Sequence, residues 1–222
     1  QDLSKLKSEG NWGISHEVGH NMQNPSFTFS GTFEVTNNVM GCYNREVLLN
    51  KTFFDKGGIP FDSDKVSGMQ TYLTTQNADF NVWKTEPFTA LGLFAQMAHH
   101  FGWGLFKEVF RTYLKTDLVQ PTTDTEKMDE WVKRASNVAN VNMAPLFEFW
   151  GVPISQSAKD SLSDKTCYLP DDWMTQLAPT RVITTLLQYG NSCSRTAHKV
   201  ADNYPEQGVF KPFKENDVIF QN

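Results

Sequence analysis

Residues 16 to 20 read His-Glu-Val-Gly-His and hold two of the chain's five histidines. On a helix, positions i and i+4 share one face, one turn apart. His16 and His20 would then both reach one metal ion at about 2.0–2.1 Å. Glu17, one step round the helix, cannot bind that ion comfortably, but it can reach a water on it. Two histidine ligands with a glutamate as general base against a metal-activated water are the parts of zinc-dependent hydrolysis, with one Zn2+ per chain. From the chain's own His and Glu content the pattern arises by chance about once in 200 such chains. The alternative is a surface helix with two solvated histidines.

A catalytic zinc needs a third protein ligand and an open fourth position. Glu34 is the best-placed candidate, at the start of the next helical stretch, where the chain can bring it back opposite the histidines. It would otherwise be a carboxylate favoured by a helix N-terminus. Asn38, four residues on, faces the same side and could orient a ligand by hydrogen bonding; it could equally be a solvated or capping Asn. No fourth ligand stands at useful spacing, which argues against a closed structural site. A tetrahedral intermediate would need a further donor for its oxyanion. His99, His100 and Tyr113 are candidates, but nothing in the sequence positions them, and all three suit ordinary helix packing.

These residues are expected on helices, because the chain as far as "NMAPLFEFWG" reads as mainly α. Ile14, Val18 and Met22 recur at helical spacing, and Asn24-Pro25 should end that helix. "SFTFSGTF" alternates polar and aromatic residues, as a short strand or extended loop would. Helical patterning returns from Thr32 to about Asn50 and includes Val47 and Leu48. Asp62 or Ser63 could cap a helix to about Thr75. Pro87 suits a helix first turn. Further helices follow at 105–114, from Asp124, and at "NMAPLFEFWG". After Pro153 the chain turns Ser/Asp-rich, as a linker or exposed loop would. "APTRVITTLLQYGN" reads as one more helix, and the C-terminal "GVFKPFKENDVIFQN" as strands or a tail. This gives a region 1–155 and an extension or linker 156–222. Trp103, Trp131, Trp150 and Trp173 could stack on sugar rings, but residues at such spacing more often fill a core.

The 222 residues fit one domain of ordinary size, and the 17 Phe can build a core. A net charge of -5 without a basic run leaves no footprint for nucleic acid. No apolar run approaches the roughly 20 residues of a membrane span. Cys42, Cys167 and Cys193 lack CxxC spacing. One pair plus a free thiol, and three free thiols, are both open. Asn50-Lys51-Thr52 is a glycosylation sequon, of a kind that chance supplies readily.

HEVGH followed by "SGTFEVTNN" resembles the enhancin-like, mucin-degrading zinc metallopeptidases, the sixtieth metallopeptidase family, within the gluzincins. Gly31, Glu34, Val35 and Asn38 match that family's G-x-x-E-V-x-x-N segment. Trp12, "HNMQ", "FGWGLFKEVFRTY" and "LFEFWGVPIS" resemble other family segments, over roughly residues 8–156. The resemblance implies His16, His20 and Glu34 as zinc ligands and Glu17 as base and proton shuttle. It implies hydrolysis of peptide bonds, often in O-glycosylated mucin-like proteins, by secreted or cell-surface enzymes. The implied fold is the helical half of a gluzincin catalytic domain. Gluzincins usually place a β-sheet ahead of the HExxH helix, and its edge strand pairs with extended substrate. Too few residues precede His16 for that sheet, so it is expected in a preceding segment or a separate chain completing the cleft. A non-catalytic scaffold or binding module of a larger extracellular protein is the alternative.

Overall fold

The computed structural model describes residues 3–203, apart from 116, 119 and 191. Twelve α-helices follow one another among the described residues: α1 (Leu3–Glu9), α2 (Trp12–His20), α3 (Phe33–Tyr43), α4 (Ser63–Thr74), α5 (Phe80–Trp83), α6 (Pro87–Phe101), α7 (Trp103–Tyr113), α8 (Asp124–Ala139), α9 (Ala144–Phe149), α10 (Gln156–Asp160), α11 (Trp173–Gln176) and α12 (Pro179–Gln188). No strand occurs among the described residues, only the isolated bridges Asn142–Cys167 and Tyr168–Ser194. The C-terminal "GVFKPFKENDVIFQN", expected as strands or a tail, lies outside the described residues.

The centre is α6. Its Leu91, Leu93, Phe94, Ala95, Met97, Ala98 and Phe101 are all buried, as befits a helix that is apolar all round. It packs against α3, α4, α5 and α7, while α2 lies on α3 and α7 on α8. Pro87 occupies the first turn of α6. Gly102, at φ +79, ends α6 and leads straight into α7, a backbone angle that favours glycine.

The caps follow the side chains available. Asn11 accepts from Ile14 N at the start of α2, and Asp62 from Lys65 N at the start of α4. Helix α8 opens at Asp124, as the sequence suggests, and Thr123 before it forms a capping box with Glu126.

The segment between α2 and α3 was expected to be extended, and it is a series of turns. Phe27 and Phe29 do alternate inward, both buried. The alternation therefore reports burial and not strand pairing. Phe27 enters an aromatic cluster with Phe110, Tyr113 and Trp131, and Phe29 stacks on Trp83. Three bonds from α8 fix this loop: Trp131 Nε1 donates to the Phe27 carbonyl at 2.7 Å, Lys127 Nζ to the Thr28 carbonyl at 3.3 Å, and Asp124 Oδ1 accepts from Ser30 N at 3.0 Å. Because the loop needs those turns, α2 stops at His20, short of Asn24-Pro25. Helix α3 likewise gives way to a π-helical turn over Asn44–Leu48, and Val47 and Leu48 are exposed instead of packed.

The Ser/Asp-rich stretch after Pro153 is folded. Ser155 caps α10, and Tyr168 and Leu169 are fully buried. Cys167 and Cys193 form a disulfide, while Cys42 is a buried free thiol whose pKa burial pushes up. Arg181 of α12 donates to the carbonyls of Phe149 (2.6 Å) and Glu148 (2.8 Å), which fastens this part onto α9.

Asp172 joins α6 to α11. It caps α11 through Met174 N and Thr175 N, and accepts from Gln96 Nε2 (2.9 Å) and His100 Nε2 (2.7 Å). Burial pushes its carboxyl pKa up, but the bonds from His100, Thr175 N and Gln96 outweigh it and hold the pKa below the ordinary value. A carboxyl depressed in the folded state adds stability above its unfolded pKa, about 3.9. That contribution is lost as pH falls through the folded value. Asp172→Asn should therefore lower neutral-pH stability by roughly 1–2 kcal/mol and flatten the loss of stability below about pH 4. Urea unfolding at a series of pH values reads both effects, and parallel curves for the two proteins would refute the assignment.

Candidate metal centre

The α2 backbone places His16 and His20 on one face, with ring centroids 5.0 Å apart and edge to face. The loop held by α8 returns the chain so that Glu34, in the first turn of α3, meets them. Glu34 Oε2 lies 3.2 Å from His16 Nε2 and 3.7 Å from His20 Nε2. One ligand atom from each of the three lies within 4.8 Å of the others. Bonds of 2.0–2.1 Å in a tetrahedral zinc site would set neighbouring ligand atoms about 3.3 Å apart. Two imidazoles and a carboxylate at this spacing fit that ion. The side chains are 23%, 23% and 48% exposed, so the cluster stands at the surface with room for further ligands. Glu17 is exposed on the next position round α2.

The polar surroundings orient the His16 imidazole. Asn38 Nδ2 donates to the Glu34 carbonyl at 2.7 Å, and a carbonyl can only accept. The amide oxygen of Asn38 must then face His16 Nδ1, 2.8 Å away. With Asn38 Oδ1 as acceptor at Nδ1, His16 turns Nε2 towards Glu34 Oε2, the side on which a metal would bind. Asn38 thus stands between His16 and the Glu34 backbone.

Two neighbours escaped the sequence reading. Asn37 is fully buried, accepts from Asn38 N, and sets Nδ2 3.0 Å from His20 Nε2 and 3.1 Å from His16 Nε2. Gln23 Oε1 lies 3.0 Å from His20 Nδ1. Each had a usable signal, since Asn37 is three residues after Glu34 and Gln23 three after His20. Only the fold shows that Gln23, beyond the end of α2, still turns back to the site.

Gly19 explains how α2 and α3 come so close. A Cβ on Gly19 would lie 2.5 Å from the Asn37 carbonyl oxygen and 2.8 Å from its Cα. The glycine is therefore required by backbone contact between the two helices that carry His16, His20 and Glu34.

The three oxyanion candidates are engaged elsewhere. His99 stacks on Phe54 at 3.9 Å, and burial, then the neighbouring His100 and Lys199, lower its pKa. His100 is bound to Asp172. Tyr113 is buried against Phe27, Trp131 and Arg134. Helix spacing could not foresee this, because α6 ends against α11 and α7 turns Tyr113 inward. The tryptophans are also structural. Trp131 and Trp150 are fully buried, and Trp103 and Trp173 pack on the core and donate to Glu46 and the Phe54 carbonyl.

Residues 1–151 match the family model for peptidase M60, enhancin and enhancin-like. The chain is 34% identical over 166 residues to TRPM8 channel-associated factor 3 of Rattus norvegicus, and 32% identical over 161 residues to TRPM8 channel-associated factor 2 of Homo sapiens. These alignments cover 72% and 71% of this chain, and the chain spans 17% of the length of each relative. It is also similar to the crystal structure of a functionally unknown conserved protein from Bacillus anthracis, with a TM-score of 0.60 at 25% identity, covering 73% of this chain and 32% of that one.

Proposed function

Because the chain belongs to the peptidase M60, enhancin and enhancin-like family, we propose that it carries the metal-binding part of a zinc-dependent endopeptidase. The observation that carries this reading is the convergence of His16, His20 and Glu34, with Glu17 exposed beside them. Zinc bound there would lower the pKa of a water towards 7 and polarise the scissile carbonyl. The chain's own residues do the rest. Asn38 holds the His16 Nδ1 proton, so that Nε2 stays a lone-pair donor. Glu17 accepts the proton of the attacking water and passes it to the leaving amine. Residues 1–155 form the catalytic region in this reading, and 156–222 an extension.

The proposed substrate is a protein or glycoprotein of the O-glycosylated, mucin-like class, with a preceding β-sheet segment or chain completing the cleft. That class rests on the resemblance of the HEVGH and Glu34 segments. The proposed location is extracellular or at the cell surface, with which the Cys167–Cys193 disulfide is compatible.

A second reading draws on the curated relatives, named as factors associated with a channel. It makes this chain a non-catalytic module of a larger protein. Zinc binding separates the two. The protein should bind one zinc per chain by elemental analysis after dialysis. Glu34→Ala should weaken zinc by more than about 100-fold, since even partners outside the ligand set are worth 10–100-fold. No bound zinc would favour the scaffold.

A further inference from the structure

The geometry points to Gln23 as the positioning residue for His20, and as the tie that makes His20 and Glu34 one unit. Gln23 Nε2 donates to the Phe33 carbonyl at 2.6 Å and to Thr36 Oγ1 at 2.6 Å. A backbone carbonyl has no proton, so the amide nitrogen must be the end that faces it. The amide oxygen then faces His20 Nδ1 at 3.0 Å. Two acceptors cannot share that contact, so Nδ1 donates there, and Nε2 is the nitrogen turned to the side where Glu34 Oε2 stands 3.7 Å away.

The same arrangement occurs twice. Asn38 joins His16 Nδ1 to the Glu34 carbonyl, and Gln23 joins His20 Nδ1 to the Phe33 carbonyl. Both anchors are consecutive carbonyls in the first turn of α3, the turn that carries Glu34. Each histidine is thus tethered through one amide to the first turn of α3, His16 to the carbonyl of Glu34 itself and His20 to that of Phe33, the residue before it. Gln23 reaches this point from outside α2, because the turn after His20 folds it back: Gln23 N bonds to the His20 carbonyl at 3.3 Å. Phe33 stacks on the His20 ring, centroids 4.8 Å apart, and fixes the ring from its face while Gln23 fixes it from its edge.

The inference rests on the zinc reading above, and its test separates the two. Gln23→Met keeps the length of the side chain and removes all three of its bonds, while Gln23→Glu keeps an acceptor for His20 Nδ1–H. In the metal-free protein, 15N spectra of the imidazoles should show His20 protonated on Nδ1. Gln23→Met should mix its tautomers, and Gln23→Glu should not. Zinc affinity, measured by competition with a chromophoric chelator, should fall about 10–100-fold in Gln23→Met and less in Gln23→Glu. A His20 tautomer that Gln23→Met leaves unchanged overturns the inference, as does unchanged zinc affinity. If the unsubstituted protein takes up no zinc, the zinc reading fails while the tautomer result still decides the role of Gln23. Should Gln23→Met unfold, Gln23→Ala, which also removes the side-chain amide, carries the same two readouts with the same expected changes.

Discussion

Glu17→Gln should leave zinc in place and remove almost all peptide hydrolysis. The side chain keeps its size and stays exposed on α2, and it contributes no atom to the cluster of His16, His20 and Glu34. Zinc stoichiometry and the metal-free melting temperature are therefore expected to be unchanged. What the amide cannot do is take a proton from water at neutral pH. A positioned general base contributes about 10²–10⁴-fold, and in the proposed mechanism the same group also delivers the proton to the departing amine, so the loss should sit at the upper end. The measurement is turnover of a mucin-like glycoprotein by the intact protein, with zinc content determined on the same samples. Full activity in the zinc-loaded variant would rule out Glu17 as the base. Loss of zinc together with activity would show instead that Glu17 supports the metal, contrary to its place on the helix.

How much of this was legible in the sequence depends on the range of the interaction. HEVGH and the i, i+4 rule describe one turn of one helix, and the structure brings together the residues that they single out. Glu34 and Asn38 needed one further step, a chain reversal, and the Asn-Pro after α2 gave notice of it. The loop itself was misread because alternating Phe27 and Phe29 look the same whether they meet a partner strand or the Trp131 and Trp83 clusters. His99, His100 and Tyr113 were suggested by residue type alone, and their partners, Phe54, Asp172 and Arg134, stand on other elements that only the folded chain brings near. Gln23 was missed for a related reason: its function depends on a backbone carbonyl, which no side-chain pattern reveals. Ile14, Val18 and Met22 have the helical spacing of a buried stripe, yet all three are exposed in the structure, because periodicity reports a face and not what covers it.

The glycine in the middle of that motif is the other position where a small change should have a large effect. Gly19→Ala adds one methyl group, and by helix propensity alone it would stabilise α2 by about 1 kcal/mol. The site reverses that expectation. The new Cβ would stand 2.5 Å from the Asn37 carbonyl oxygen and 2.9 Å from its carbonyl carbon, and backbone cannot swing aside as a side chain can. Helices α2 and α3 must therefore separate, and α3 carries Glu34, Asn37 and Asn38 together. Overpacking of this kind costs about 1–3 kcal/mol or more, which for a chain of this size lowers the melting temperature by on the order of 5 °C. Zinc affinity should drop further than in any variant of a single orienting amide, because both tethers to the first turn of α3 are displaced at once. Gly68→Ala is the control: it lies in α4, a Cβ there meets nothing within 4 Å, and it should hold or raise stability. Gly19→Ala with native melting and native zinc affinity would mean that α2 and α3 are not in backbone contact, and the arrangement of the three ligands across that contact would fall with it.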